Sequence, residues 1–134
     1  MTETKILYKD ESYQIIGACF EVYKVMGPRF LEAVYQECLA KELKLRGIPF
    51  AQKKRIQLSY KSDPLEQYYE ADFVCYDKII IEIKAHKSLA DGHRTQTLHY
   101  LKSTGLQLGL LVNFGHHPKL EHERFVNGSR VSRL

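Results

Sequence analysis

The segment KIIIEIKAHK, residues 78 to 87, sets Glu82 and Lys84 inside a run of isoleucines at positions 79, 80, 81 and 83. In a strand, successive side chains point to opposite faces. Ile79, Ile81, Ile83 and Ala85 then make one apolar face, and Ile80, Glu82 and Lys84 make the other. Such a pattern fits a half-exposed strand with a solvated ion pair, which antiparallel sheets allow. It also fits the wall of a metal-binding cleft, which needs another carboxylate. Asp72, flanked by Phe73 and Val74, supplies one. If Asp77 and Lys78 form a tight turn, Asp72 and Glu82 fall nearly opposite each other in a hairpin. Two carboxylates at that range repel unless a proton or a cation intervenes. Mg²⁺ takes one or two carboxylates together with waters and phosphate oxygens, and Mn²⁺ is the alternative ion. Lys84 would sit beside the reaction zone, where an ammonium can orient or help deprotonate water and offset charge building on phosphorus.

The elements that must position these groups follow from periodicity. Ile15, Ile16, Cys19, Phe20, Val22, Tyr23 and Met26 recur at helical spacing from Ser12, and Gly27-Pro28 ends the run. Leu31, Val34, Tyr35, Cys38, Leu39 and Leu43 form a second helical stripe, stopped by RGIPF with Gly47 and Pro49. The short connection between them predicts a helical hairpin packed on a sheet. Residues 50 to 60 alternate weakly, KSDP at 61 to 64 is a turn, and EQYYEADFVCY at 66 to 76 is a strand. With the isoleucine strand this makes an antiparallel meander. LADGHRTQTLHYLKS, from Leu89 to Ser103, reads as a helix weakened in its first turn by Gly92, and QLGLLVNF follows as an apolar strand. A helix between two strands implies a crossover and opens a parallel pairing. Beyond GHHPKL one strand-like run, ERFVN, precedes a polar tail. The expected order is ααβββαβ, an α/β sandwich with a mixed sheet.

Composition sets outer bounds. The 134 residues are expected to form one domain, with a core at about 10–115 and a C-terminal extension at 116–134. Hydrophobic residues at 44% and charged residues at 27% are ordinary for a globular protein. No apolar run approaches the roughly 18 residues of a membrane span, and MTETKILYKDESYQ lacks a signal-peptide profile. The expectation is therefore a cytoplasmic protein without a membrane partner. Cys19, Cys38 and Cys75 are odd in number and lie in apolar patterns, as reduced core residues do. A net charge of +4 permits an anionic partner without demanding one. The basic cluster QKKRIQ at 52 to 57 reads as a solvated strand edge.

Asp72 followed by Glu82-Ile83-Lys84, in this order of elements, resembles the PD-(D/E)XK nuclease superfamily. The blocks GPRFLEAVYQECLAKELKLRGIPF, YYEADFVCYDKIIIEIKA and QTLHYLKSTGLQLGLLVNFG together resemble its GxxExxY family. The resemblance implies a nuclease-like core, Asp72 and Glu82 as ligands of Mg²⁺ or Mn²⁺, and Lys84 as the catalytic lysine. It adds Glu32 as a helical glutamate reaching the metal through water. Gln96 and Tyr100 match a Q-x-x-x-Y element, on one helix face and suited to phosphate or metal-water contacts. The family glycine three residues before Glu32 is here Arg29, which is uncomfortable if that position needs positive φ.

The implied activity is metal-dependent hydrolysis of nucleic acid, DNA foremost. The competing reading is a catalytically silent nuclease-like domain that binds nucleic acid or a protein partner, and homo-oligomerisation stays open. A dimerisation module alone leaves the charges in the isoleucine strand unexplained. Glu32 also suits the dipole of a helix start, Gln96 an exposed helix surface, and Tyr100 a core position beside Leu101. His86 and His93 lack a Cys or His partner at zinc-ligand spacing.

Overall fold

The computed structural model describes residues 6–128. In chain order the elements are α1 Lys9–Met26, α2 Glu32–Leu45, β1 Phe50–Tyr60, β2 Asp63–Cys75, β3 Ile79–Lys84, α3 Asp91–Thr104, β4 Leu108–Asn113 and β5 Glu121–Val126. The sheet runs β1-β2-β3-β4-β5, antiparallel except between β3 and β4, which are parallel. This is the mixed sheet flanked by helices that the sequence predicts, crossover included. The run ERFVN contributes to the fifth strand, β5.

Local chemistry sets the ends of these elements. The β2–β3 turn is at Tyr76 and Asp77, with φ of 55° and 59°, one residue earlier than expected. The register still pairs Cys75 with Ile79 and Phe73 with Ile81. α3 starts at Asp91 rather than Leu89, because the ring Nδ1 of His93 accepts the N–H of Ala90 at 3.1 Å and caps the first turn there.

The two sides of the sheet carry separate cores. Ile15, Ala18, Cys19 and Val22 of α1 and Tyr35, Leu39 and Leu43 of α2 recur at helical spacing and pack on Phe73, Cys75, Ile79, Ile81 and Ile83. On the other side Leu101 of α3 packs with Tyr69, Ala71, Val74 and Ile80. β3 is therefore covered on both faces, and Glu82 is only 7% exposed. The solvated ion-pair reading of Glu82 does not hold. Cys19 and Cys75 are buried free thiols, as expected, and Cys38 is half-buried.

The segment after β3 is gripped by β4 and the turn that follows it. Asn113, fully buried, accepts the N–H of His86 at 2.8 Å and donates to the His86 carbonyl at 2.9 Å. The N–H of Phe114 donates to the Lys84 carbonyl at 2.9 Å. Gly115 packs so closely here that a Cβ would lie 2.5 Å from the His86 carbonyl oxygen and 2.6 Å from its nitrogen. Those are backbone atoms and cannot swing aside. Gly115→Ala should therefore cost on the order of 2–3 kcal/mol, as overpacking in a rigid interior does. Urea unfolding measures it, and a loss below about 0.5 kcal/mol would mean that the His86 segment yields freely.

Candidate active site

The alternation of β2 breaks at Asp72. Tyr69 and Ala71 belong to the core under α3, yet Phe73 belongs to the core under α1 and α2. Residues 71 and 73 would share a face in a regular strand. On the neighbouring strand Lys53 has φ 53°, and no pairing joins Lys53 to Asp72, although Gln52↔Phe73 and Lys54↔Ala71 keep one register on either side. β1 and β2 are kinked together at this point.

The kink lets the Asp72 carboxylate work on two neighbours. Its Oδ2 accepts the backbone N–H of Ile83 at 2.8 Å, and its Oδ1 accepts Nε2 of Gln36 on α2 at 2.9 Å. The β2–β3 ladder ends at Phe73↔Ile81, so a side-chain carboxylate replaces a strand carbonyl as the partner of Ile83. Glu82 enters the same opening. Its Oε1 accepts the hydroxyl of Tyr69 and, at 3.4 Å, the N–H of Asp72. The two carboxylates thus meet where the strands part, Asp72 held from α2 and Glu82 held by Tyr69 beneath α3. Simple strand parity would bring them together on one flat face; the kink brings them together at the opening.

Their electrostatics follow from this crowding. Burial first, then repulsion from Asp72, pushes the Glu82 carboxyl up to about 7, against the pull of the Tyr69 hydroxyl, the Asp72 N–H and Lys84. Burial also raises Asp72, opposed by the Ile83 N–H, Lys84 and Gln36. Glu32, in the first turn of α2, is raised by burial and by Asp72, while Lys84 and His86 oppose that. Tyr69 is raised strongly by burial and by Glu82. Each group is shifted toward its neutral form relative to the free side chain.

The structure brings together Asp72, Glu82, Lys84 and Glu32, all within electrostatic reach of one another through Asp72 and Lys84. Lys84 is half-buried and forms no salt bridge among the described residues. Tyr100 stacks on Tyr69 with ring centroids 3.6 Å apart, so it touches the site through that ring. Gln96, one turn earlier on α3, is exposed, and no hydrogen bond ties it to the carboxylates. Arg29 has φ 86°, the left-handed region that favours glycine. The backbone there keeps the shape a glycine would take despite the arginine side chain. His86 and His93 lie with ring centroids 4.8 Å apart, yet no group of three or more His, Cys, Asp or Glu suited to a metal occurs among the described residues.

Three residues with clear contacts escaped the sequence reading. Gln36 holds Asp72, Tyr69 holds Glu82, and Asn113 grips the chain just beyond Lys84. Asn113 left a legible trace, a lone amide at the end of the apolar run LGLLV. Gln36 and Tyr69 left none, since both types are common on helix and strand surfaces.

The raised Glu82 carboxyl makes stability depend on pH. The folded protein holds a proton that the unfolded chain releases near 4.5. Stability from this group is full below that value and is lost as pH rises through about 7. Without divalent metal, the parent should lose up to the order of 3 kcal/mol relative to Glu82→Gln between pH 4.5 and 8, since each pKa unit is worth about 1.4 kcal/mol. Urea unfolding of both proteins across that range measures the difference; a constant difference would mean that Glu82 ionises normally in the fold.

Comparison with known proteins agrees with this architecture. No curated protein matches the chain. A solved structure described as "Crystal structure of SSO0001" superposes with a TM-score of 0.58 at 17% identity, covering 92% of this chain. This chain spans 61% of that structure's length, and at such identity the likeness is one of fold. A family model described as the PD-(D/E)XK nuclease superfamily matches residues 9–125. With that match over most of its length, the chain belongs to the PD-(D/E)XK nuclease superfamily.

Proposed function

We propose that the chain is a GxxExxY-type nuclease that hydrolyses phosphodiester bonds of DNA with Mg²⁺ or Mn²⁺. The observation that carries this is the pair of carboxylates, half-buried Asp72 and buried Glu82, meeting at a strand opening with Lys84 two residues beyond Glu82. The left-handed backbone at Arg29, three residues before Glu32, supports the finer family assignment.

The donor set fits a hard cation. Asp72 and Glu82 supply the one or two carboxylates that Mg²⁺ takes together with waters and phosphate oxygens. Gln36 Oε1 is buried without a partner, a spare acceptor beside Asp72 of the kind a hydrated ion's O–H groups satisfy. When bound, Mg²⁺ or Mn²⁺ would neutralise the carboxylate pair, draw charge from a phosphate oxygen and make water easier to deprotonate. The chain's own groups do the rest. Gln36 and the Ile83 N–H fix Asp72, and Tyr69 fixes Glu82. Lys84 offers a cation to the attacking water and to the charge gathering on phosphorus. Glu32 adds an acceptor for water from the α2 side. Tyr100 secures the Tyr69 ring, and Gln96 lies free on α3 to reach a phosphate. The whole sequence acts as one domain in this reading, and its three free thiols support a reducing compartment such as the cytoplasm.

One observation favours the silent-domain alternative. Glu82 and Asp72 already have protein partners, which would stabilise them without a metal. Cleavage separates the two. The parent with Mg²⁺ or Mn²⁺ should cut single- or double-stranded DNA, and Lys84→Ala should lower turnover by on the order of 10² or more with little change in binding. Equal cleavage by both proteins would assign the activity elsewhere, and none by the parent on DNA or RNA would favour the silent domain.

A further inference from the structure

The site opens onto a cleft whose outer part the hydrolytic groups do not use. It runs between α2 and β1, with a volume of about 810 Å³, and Glu32 and Gln36 form its inner end. Gln36 there bonds Asp72, so the cleft is continuous with the carboxylate pair. Its outer walls carry Lys41 and Lys44 from α2 and Lys53 from the kinked part of β1, with Phe50 beside them. All three lysines are exposed, and none is in a salt bridge among the described residues. Glu37 is the one carboxylate among these outer groups. Lys41 and Lys44 are one turn apart on α2, and Lys53, in a left-handed backbone, lines the same cleft from β1.

We propose that this cleft holds the phosphate backbone of a single nucleic-acid strand leaving the hydrolytic site. The proposal rests on the nuclease reading above and adds the form of the substrate. Lysines without protein partners along a groove are how single strands are tracked. The volume falls within the roughly 300–1,000 Å³ of clefts that take small molecules. It admits a short length of one strand. A duplex offers this groove the backbone of at most one of its strands.

The test uses the full chain carrying Lys84→Ala, so that binding in Mg²⁺ is followed without cleavage. Fluorescence anisotropy compares a labelled single-stranded oligonucleotide, the matching duplex and polyglutamate between 50 and 200 mM salt. Adding Lys41→Ala and Lys44→Ala should reduce the slope of log K against log salt for the single strand by about 1.4, because each phosphate contact contributes roughly 0.7. The duplex slope should move less, and Lys24→Ala, on exposed α1 surface, should leave both unchanged. Single-strand binding that keeps its slope in the double variant overturns the cleft while leaving the nuclease reading intact. Lysine dependence seen only with polyglutamate overturns it in favour of an acidic protein partner. If no oligonucleotide binds either protein, the nuclease reading itself fails and takes the cleft with it.

Discussion

Past Phe73 and Ile81, β2 and β3 stop pairing, and the N–H of Ile83 needs an acceptor that the neighbouring backbone no longer provides. A buried N–H left alone costs about 1–3 kcal/mol. Asp72 Oδ2 fills that need at 2.8 Å, and much of the site depends on this substitution. It fixes the carboxylate where the strands part and lets Glu82 approach the Asp72 N–H. It also turns Oδ1 toward Gln36, which ties the opening to α2 and to the cleft beyond. The kink opposite Lys53 is the backbone's share of the same arrangement.

The cost of the arrangement is electrostatic. Asp72, Glu82 and Glu32 all have carboxyls raised by burial, and the repulsion of Asp72 adds to the last two. A chain selected for stability alone would place apolar groups there, as it does at Ile79, Ile81 and Ile83 on the same strand. The packing around the opening resists this strain. Tyr35, fully buried, stacks on Phe114 at 4.8 Å and donates its hydroxyl to the Gly27 carbonyl, fixing the α1–α2 connection. That connection contains Arg29, held in a backbone conformation that costs a non-glycine residue roughly 1–2 kcal/mol. The entry to α2, and with it Glu32, is therefore set by buried aromatic packing rather than by the preference of its own residues.

Much of this was legible because it is periodic. The alternation of isoleucines marked β3, the helical stripes marked α1 and α2, and the register around one tight turn placed Asp72 opposite Glu82. The kink was not legible. No glycine or proline marks Lys53 or Asp72, and the parity break appears only when Ala71 and Phe73 are seen in different cores. The partners of the carboxylates were hidden for a related reason. Tyr69 and Gln36 are distant in sequence from the groups they hold, so spacing carried no trace of them. Gln96 shows the opposite limit, since helical spacing placed it on the Tyr100 face without saying how far that face lies from the carboxylates.

The cation site proposed at Asp72 and Glu82 is tested most directly, without any substrate, by thermal unfolding with Mn²⁺. Binding to the folded state stabilises by about 1.4 kcal/mol at ten times the dissociation constant. The parent's melting temperature should therefore rise with millimolar Mn²⁺. Asp72→Asn is the control, because the amide retains the shape: its oxygen can accept the Ile83 N–H, and a turn of Gln36 offers the otherwise unpartnered Oε1 to its NH₂. Without metal it should melt at least as high as the parent, since one repelling charge is gone, and Mn²⁺ should scarcely move it. A parent that gains nothing, or an Asp72→Asn protein that gains as much, would show that the carboxylates meeting between β2 and β3 do not bind a metal.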